Sequence, residues 1–97
     1  MHKVVINVSY GGFDLSEEAY KLLAARKGVE QIRDIELIDR HDPDLVAVVE
    51  ELGCQRASGD FATLYIEEIE GNQYNINEYD GSETVITPNG YRWITIS

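Results

Sequence analysis

Ninety-seven residues, 43 % hydrophobic and 27 % charged, make one domain of ordinary globular composition, too short for two cores and too apolar for a disordered chain. Eight Lys and Arg against eighteen Asp and Glu leave a net charge of −10, which argues against direct binding to nucleic acid or to an anionic membrane. The single cysteine, Cys54, excludes an intramolecular disulfide and a multi-cysteine metal cluster, and no apolar run approaches the ~20 residues of a membrane span.

Val4, Ile6 and Val8 alternate with Lys3, Val5, Asn7 and Ser9, which predicts a strand with one strongly apolar face. It starts directly after Met1, so no signal peptide is expected. Tyr10-Gly11-Gly12 breaks the strand, and Ser16 then caps a helix whose first turn carries Glu17 and Glu18 and whose end carries Arg26, Lys27 and Gly28. Residues 35–38 are short and apolar enough for a second strand. Asp42-Pro43-Asp44 is a strong helix start, with Asp42 as cap and Pro43 at the first helical position. Leu45, Val46, Val49 and Leu52 form that helix's apolar face, and Gly53 ends it.

The second half reads as strands. Residues 62–69 and 74–79 make one pair around Gly71-Asn72, Asp80-Gly81 is a turn, and residues 84–87 and 91–96 make a last pair around Pro88-Asn89-Gly90. The order strand, helix, strand, helix, strands predicts an α/β (α+β) fold: a mixed, partly parallel sheet of five to six strands with two helices packed on one face.

If the first two strands are parallel, the loops after them share one sheet edge, where open α/β folds place ligands. Tyr10, Gly11, Gly12, Arg40 and His41 are therefore the candidate ligand-binding residues. A tight turn is the simpler account of the two glycines, which match no phosphate loop. For Arg40 the simpler account is a local ion pair with Asp39 or Asp42. His41 among Asp39, Asp42 and Asp44 does not amount to a metal site, since both later aspartates have ordinary helix-start roles. No metal, cofactor or catalytic residue is implied, and Cys54 has no partner pattern for nucleophilic chemistry.

Charge is concentrated: residues 28–91 hold fifteen acids and three arginines. Glu67, Glu68 and Glu70 with Glu78, Asp80 and Glu83 read as an acidic surface rather than a catalytic carboxylate pair. Tyr65, Tyr74, Tyr79, Tyr91 and Trp93 add aromatic weight to the same half. Those that stay exposed beside the acids would make a binding face. The candidate partner-binding residues are Glu67, Glu68, Glu70, Glu78, Tyr79 and Asp80.

The strings Tyr10-Gly11-Gly12-Phe13, Leu15-Ser16-Glu17-Glu18-Ala19, Asp39-Arg40 with Asp42-Pro43-Asp44-Leu45-Val46, and Glu78-Tyr79-Asp80-Gly81 resemble a family of small bacteriophage and prophage proteins to which no reaction is assigned. The resemblance reaches to Glu83, and the ending from Thr87 onward departs from it. It implies a phage setting, and with it the cytoplasm of an infected bacterial host. Small phage accessory proteins of this kind are often non-catalytic inhibitors. The leading expectation is therefore an acidic protein that covers a basic site on a bacterial host or defence protein, in the manner of a nucleic-acid mimic. The alternatives are a binder or sponge for a small nucleotide signal, using the Tyr10–Gly12 and Arg40 edge, and a small enzyme.

Overall fold

The computed structural model describes residues 2–87 and 94–96. Strand β1 (His2–Asn7) is followed by helix α1 (Glu17–Lys27), a short 3-10 helix (Ile35–Leu37), helices α2 (Pro43–Leu52) and α3 (Cys54–Ala57), and strands β2 (Leu64–Ile69), β3 (Gln73–Tyr79), β4 (Ser82–Ile86) and β5 (Ile94–Thr95). The predicted turn at Pro88-Asn89-Gly90, with Tyr91 and Trp93, lies outside the described residues.

The helices start and stop where their caps dictate. Ser16 Oγ accepts the Ala19 N–H, and Gly28 closes α1 in the left-handed conformation with φ of 70°. Asp42 accepts the N–H groups of Asp44 and Leu45 at 2.9 and 3.1 Å, so Pro43 gives up no needed donor. Gly53 ends α2, but the chain turns straight into α3 instead of leaving the helical layer.

The mixed α+β class holds, whereas the partly parallel five- to six-stranded sheet does not. Residues 35–38 are no strand. Asp34 accepts the Glu36 N–H and turns Ile35–Leu37 into a 3-10 helix, which removes the only candidate for a parallel neighbour of β1. Every observed pairing is antiparallel. One ribbon pairs β1 with β2, from His2 opposite Ile69 to Asn7 opposite Leu64, and a second sheet has the order β4-β3-β5. The two expected hairpins also change: β2 and β3 lie in different sheets across Gly71-Asn72, and β4 and β5 flank β3 rather than each other.

These sheets and the helices place β1 between two apolar clusters. Val5 packs with Leu23, Leu45, Val49 and Leu64 in the helical layer, while Val4 and Ile6 pack with Ile69 and Tyr74 against the second sheet. Both faces of β1 are therefore covered, and Val4, Val5, Ile6 and Asn7 are all buried. Among the described residues no strand pairs with the edge of β1 away from β2. Val5 gives its N–H to the Arg40 carbonyl at 2.8 Å, and Asn7 gives its N–H to Glu83 Oε1 at 2.9 Å. A loop carbonyl and a carboxylate thus satisfy donors that a third strand would otherwise take.

Candidate functional site

Asn7, fully buried at the end of β1, organises the loops beyond it. Its Nδ2 donates to the carbonyls of Ser9 and Gly81, both at 2.9 Å, and its Oδ1 accepts the Thr63 N–H at 2.8 Å. One side chain thereby fixes three segments: the loop after β1, the entry to β2, and the β3–β4 turn. A buried amide with its donors and acceptor engaged holds such a junction firmly.

Two glycines let these loops close on one another. A Cβ at Gly11 would sit 1.9 Å from the Phe61 carbonyl oxygen, and one at Gly81 would sit 2.6 Å from that of Tyr10. Asp80 at φ 55° and Gly81 at φ 94° form the hairpin turn, in which both central residues take positive φ. Ser9 Oγ donates to the Phe61 carbonyl at 2.8 Å, joining the first loop to residues 58–63. Around this junction Tyr10 is 72 % exposed, Phe61 80 % and Tyr79 78 %. Asp60, Glu78 and Asp80 accompany them and form no ion pair among the described residues. Three large rings held out in water on adjoining loops, with uncompensated carboxylates beside them, have the composition of a protein-binding face.

Arg40 is close to this face but turned inward. Its guanidinium meets Glu83 in a two-pronged pair at 2.5 and 2.9 Å and lies 3.7 Å over the Phe13 ring. The local pair expected with Asp39 or Asp42 is replaced by one that spans the fold. Glu83, read in the sequence as part of an acidic surface, is 8 % exposed and belongs to the edge of β1. The cavity beside Arg40 is about 160 Å³ and is lined also by Glu36, Glu78 and Glu83, so three carboxylates face one committed cation. His41 Nδ1 shares a 2.6 Å hydrogen bond with the buried Tyr74 hydroxyl, whose pKa burial and the nearby Asp39 charge push up to about 12. The protonated phenol makes this contact a structural clasp between the start of α2 and β3.

Of the predicted ligand-binding residues, Tyr10, Gly11 and Gly12 do lie together. Gly12 takes φ of 90° with open space around it, so its need is conformational, while Gly11 is required for close approach. Arg40 lies alongside β1 at Val5, not at the end of a parallel strand. The predicted acidic surface divides in two. Glu78, Tyr79 and Asp80 adjoin the Asn7 junction, whereas Glu67 and Glu68 sit at the far end of β2, paired with Val4 and Lys3, and Glu70 follows just past it. Sequence reasoning missed Phe61 and Asn7 and placed Glu83 on the acidic surface instead of beside Arg40. Phe61 had a signal, a large aromatic in the polar run Ser58-Gly59-Asp60. Asn7 had none, because it reads as the polar position of an alternating strand, and Glu83 reads as one more surface acid after the Asp80-Gly81 turn.

Comparison with known proteins finds no matching family model, no similar curated sequence and no similar solved structure.

Proposed function

We propose that this chain is a non-catalytic, phage-type binding protein that covers a basic site on a bacterial host or defence protein. The observation that carries the reading is the exposed trio Tyr10, Phe61 and Tyr79, braced from below by Asn7 and flanked by Asp60, Glu78 and Asp80. Exposed aromatics that need not reorganise supply anchoring area at low entropic cost, and the surrounding negative charge steers a basic partner toward them. Imitation of nucleic acid fits the same chemistry, since rings and negative charge are what a nucleic-acid-binding surface engages. The sponge alternative is favoured less, because Arg40 is committed to Glu83 beside a cavity of only about 160 Å³. The cavity of about 370 Å³ at Gly11 is lined by the acids Asp14, Glu17 and Asp60, which suit a nucleotide poorly.

The test couples the protein to beads and challenges it with a lysate of bacteria at about 50 mM and about 400 mM salt. The Debye length falls to about 5 Å in the second condition, so a charge-steered basic protein is retained in the first and largely released in the second. The retained protein is then purified and its affinity measured. Tyr10→Ser, Phe61→Ser and Tyr79→Ser together lower that affinity about 30-fold or more while the protein stays folded. Retention that ignores both salt and the triple substitution contradicts the proposal.

A further inference from the structure

A second surface lies on the other edge of the ribbon. Val5 and Asn7 direct their N–H groups away from β2, to Arg40 and Glu83, so the antiparallel alternation makes Val5–Ile66 and Asn7–Leu64 the pairs that do not exchange hydrogen bonds. Their partners on β2 therefore also face away, outward from the ribbon. Leu64 agrees, since its N–H goes to Ser58 Oγ at 2.9 Å. The next two residues in that phase are Ile66 and Glu68, and among the described residues β2 pairs with no strand other than β1. From Ile66 to Glu70, just past the end of β2, this outer edge is a row of backbone donors and acceptors with no neighbouring strand among the described residues.

The side chains along this row select what can dock there. Glu67, Glu68 and Glu70 form no ion pair among the described residues, and Lys3, which stands opposite Glu68, is engaged by Glu50 at 2.5 Å. A second copy of the chain added antiparallel through this edge would bring the glutamates of one β2 against those of the other, which is unfavourable. The same charges attract a strand rich in Lys or Arg. We infer that the outer edge of β2, from Ile66 to Glu70, receives an extended basic polypeptide segment by strand addition. Backbone hydrogen bonds at Ile66 and Glu68 hold the segment, and alternate basic side chains meet Glu67 on one face and Glu68 on the other. This surface is separate from the aromatic loops and stands whether or not they bind a partner.

The probe is a capped seven-residue peptide of alternating Lys and Val, with an alternating Glu and Val peptide as control, and the readout is amide exchange and chemical shift on the full chain. The Lys peptide is expected to slow exchange of the Ile66 and Glu68 amides selectively, and the Glu peptide to leave them unchanged. Glu68→Gln keeps the donor and removes a charge, so affinity falls about two- to fivefold. Glu68→Pro removes the outward N–H while sparing the ladder to β1, and affinity falls about tenfold or more. Phe61→Ser with Tyr79→Ser leaves peptide binding unchanged, which separates this site from the aromatic end. The inference is overturned if the peptide protects no amide within residues 64–70, or if both peptides bind alike. It is also overturned if a folded Glu68→Pro variant binds like the parent, or if the free protein dimerises through this edge. The protection pattern of the unsubstituted protein decides the matter even if the proline variant does not fold.

Discussion

Removing Arg40 leaves the Glu83 carboxylate, 8 % exposed, with the Asn7 N–H as its remaining partner at the edge of β1. A buried charge stripped of its counter-ion is costly, so Arg40→Ala is expected to lower stability by about 3 kcal/mol, measured as a shift of the urea midpoint. Glu83→Gln keeps an acceptor for Asn7 and costs less. Combining it with Arg40→Met recovers much of the loss, because neither buried charge then remains. Asp42 offers a different test. Burial opposes its ionisation, but the Lys27 ammonium at 2.7 Å and two helix N–H groups outweigh this and hold its pKa below the usual carboxylate value. The Asp42 hydrogen bond correspondingly raises Lys27. A lowered acid pKa contributes stability that is present above the unfolded value of about 3.9 and is lost as pH falls through the folded one. A raised amine pKa contributes below about 10.4 and is lost as pH rises through its folded value. Asn caps helices about as well as Asp, so Asp42→Asn isolates the ion pair. Its stability deficit is expected to be largest between about pH 5 and 9 and to shrink toward both extremes, as read from urea midpoints across pH.

At the scale of elements, legibility followed how local the determining contacts are. The starts of α1 and α2 could be read from Ser16 and Asp42-Pro43, because a cap needs only its next three residues. The Asp80-Gly81 turn was legible for the same reason. Ile35–Leu37 was misread because three apolar-rich residues fit either a strand or one helical turn, and only the Asp34 side chain decides between them. For β1 the alternation pointed to one buried face, that of Val4 and Ile6, which the second sheet covers, while the helical layer covers the other, so Val5 and Asn7 are as buried as Val4 and Ile6. Pairing across sixty or more residues, His2 with Ile69, leaves no trace in a local pattern. The candidate face was half visible: Tyr79 and Asp80 were singled out, whereas the loop that presents Phe61 reaches the Tyr10 loop through long-range contacts, the Gly11 approach and the Ser9 hydrogen bond, that no local pattern shows. That contact is testable as a unit. Gly11→Ala forces the loops apart and is expected to cost about 1–3 kcal/mol. Gly12→Ala meets no atom and costs about 1 kcal/mol through its positive φ. Paired denaturation curves for the two variants check the ordering.

Across the whole molecule, charge is distributed so that the positive side chains are spent internally. Lys3, Lys21, Arg26, Lys27, Arg40 and Arg56 each face a carboxylate within 4.0 Å, leaving Arg33 as the one Lys or Arg among the described residues without such a pair. Glu67, Glu68, Glu70, Glu78, Asp60 and Asp80 are among the acids left to set the outward field, as are Glu30, Asp34, Glu36 and Glu51 elsewhere, so both proposed surfaces call for a basic partner. The central placement of β1 has a further consequence, for how the fold is reached. Strand β1 pairs with residues 64–69 and is roofed by Tyr74, so it must wait for most of the chain before both of its faces are covered. The helical layer, by contrast, is built from α1 and α2, which are closer together in sequence. Loop closure over such separations is paid before the strand contacts return anything, which places this small chain among the slower folders of its size. With Val4 and Ile6 uncovered during that interval, β1 is a natural client for a chaperone.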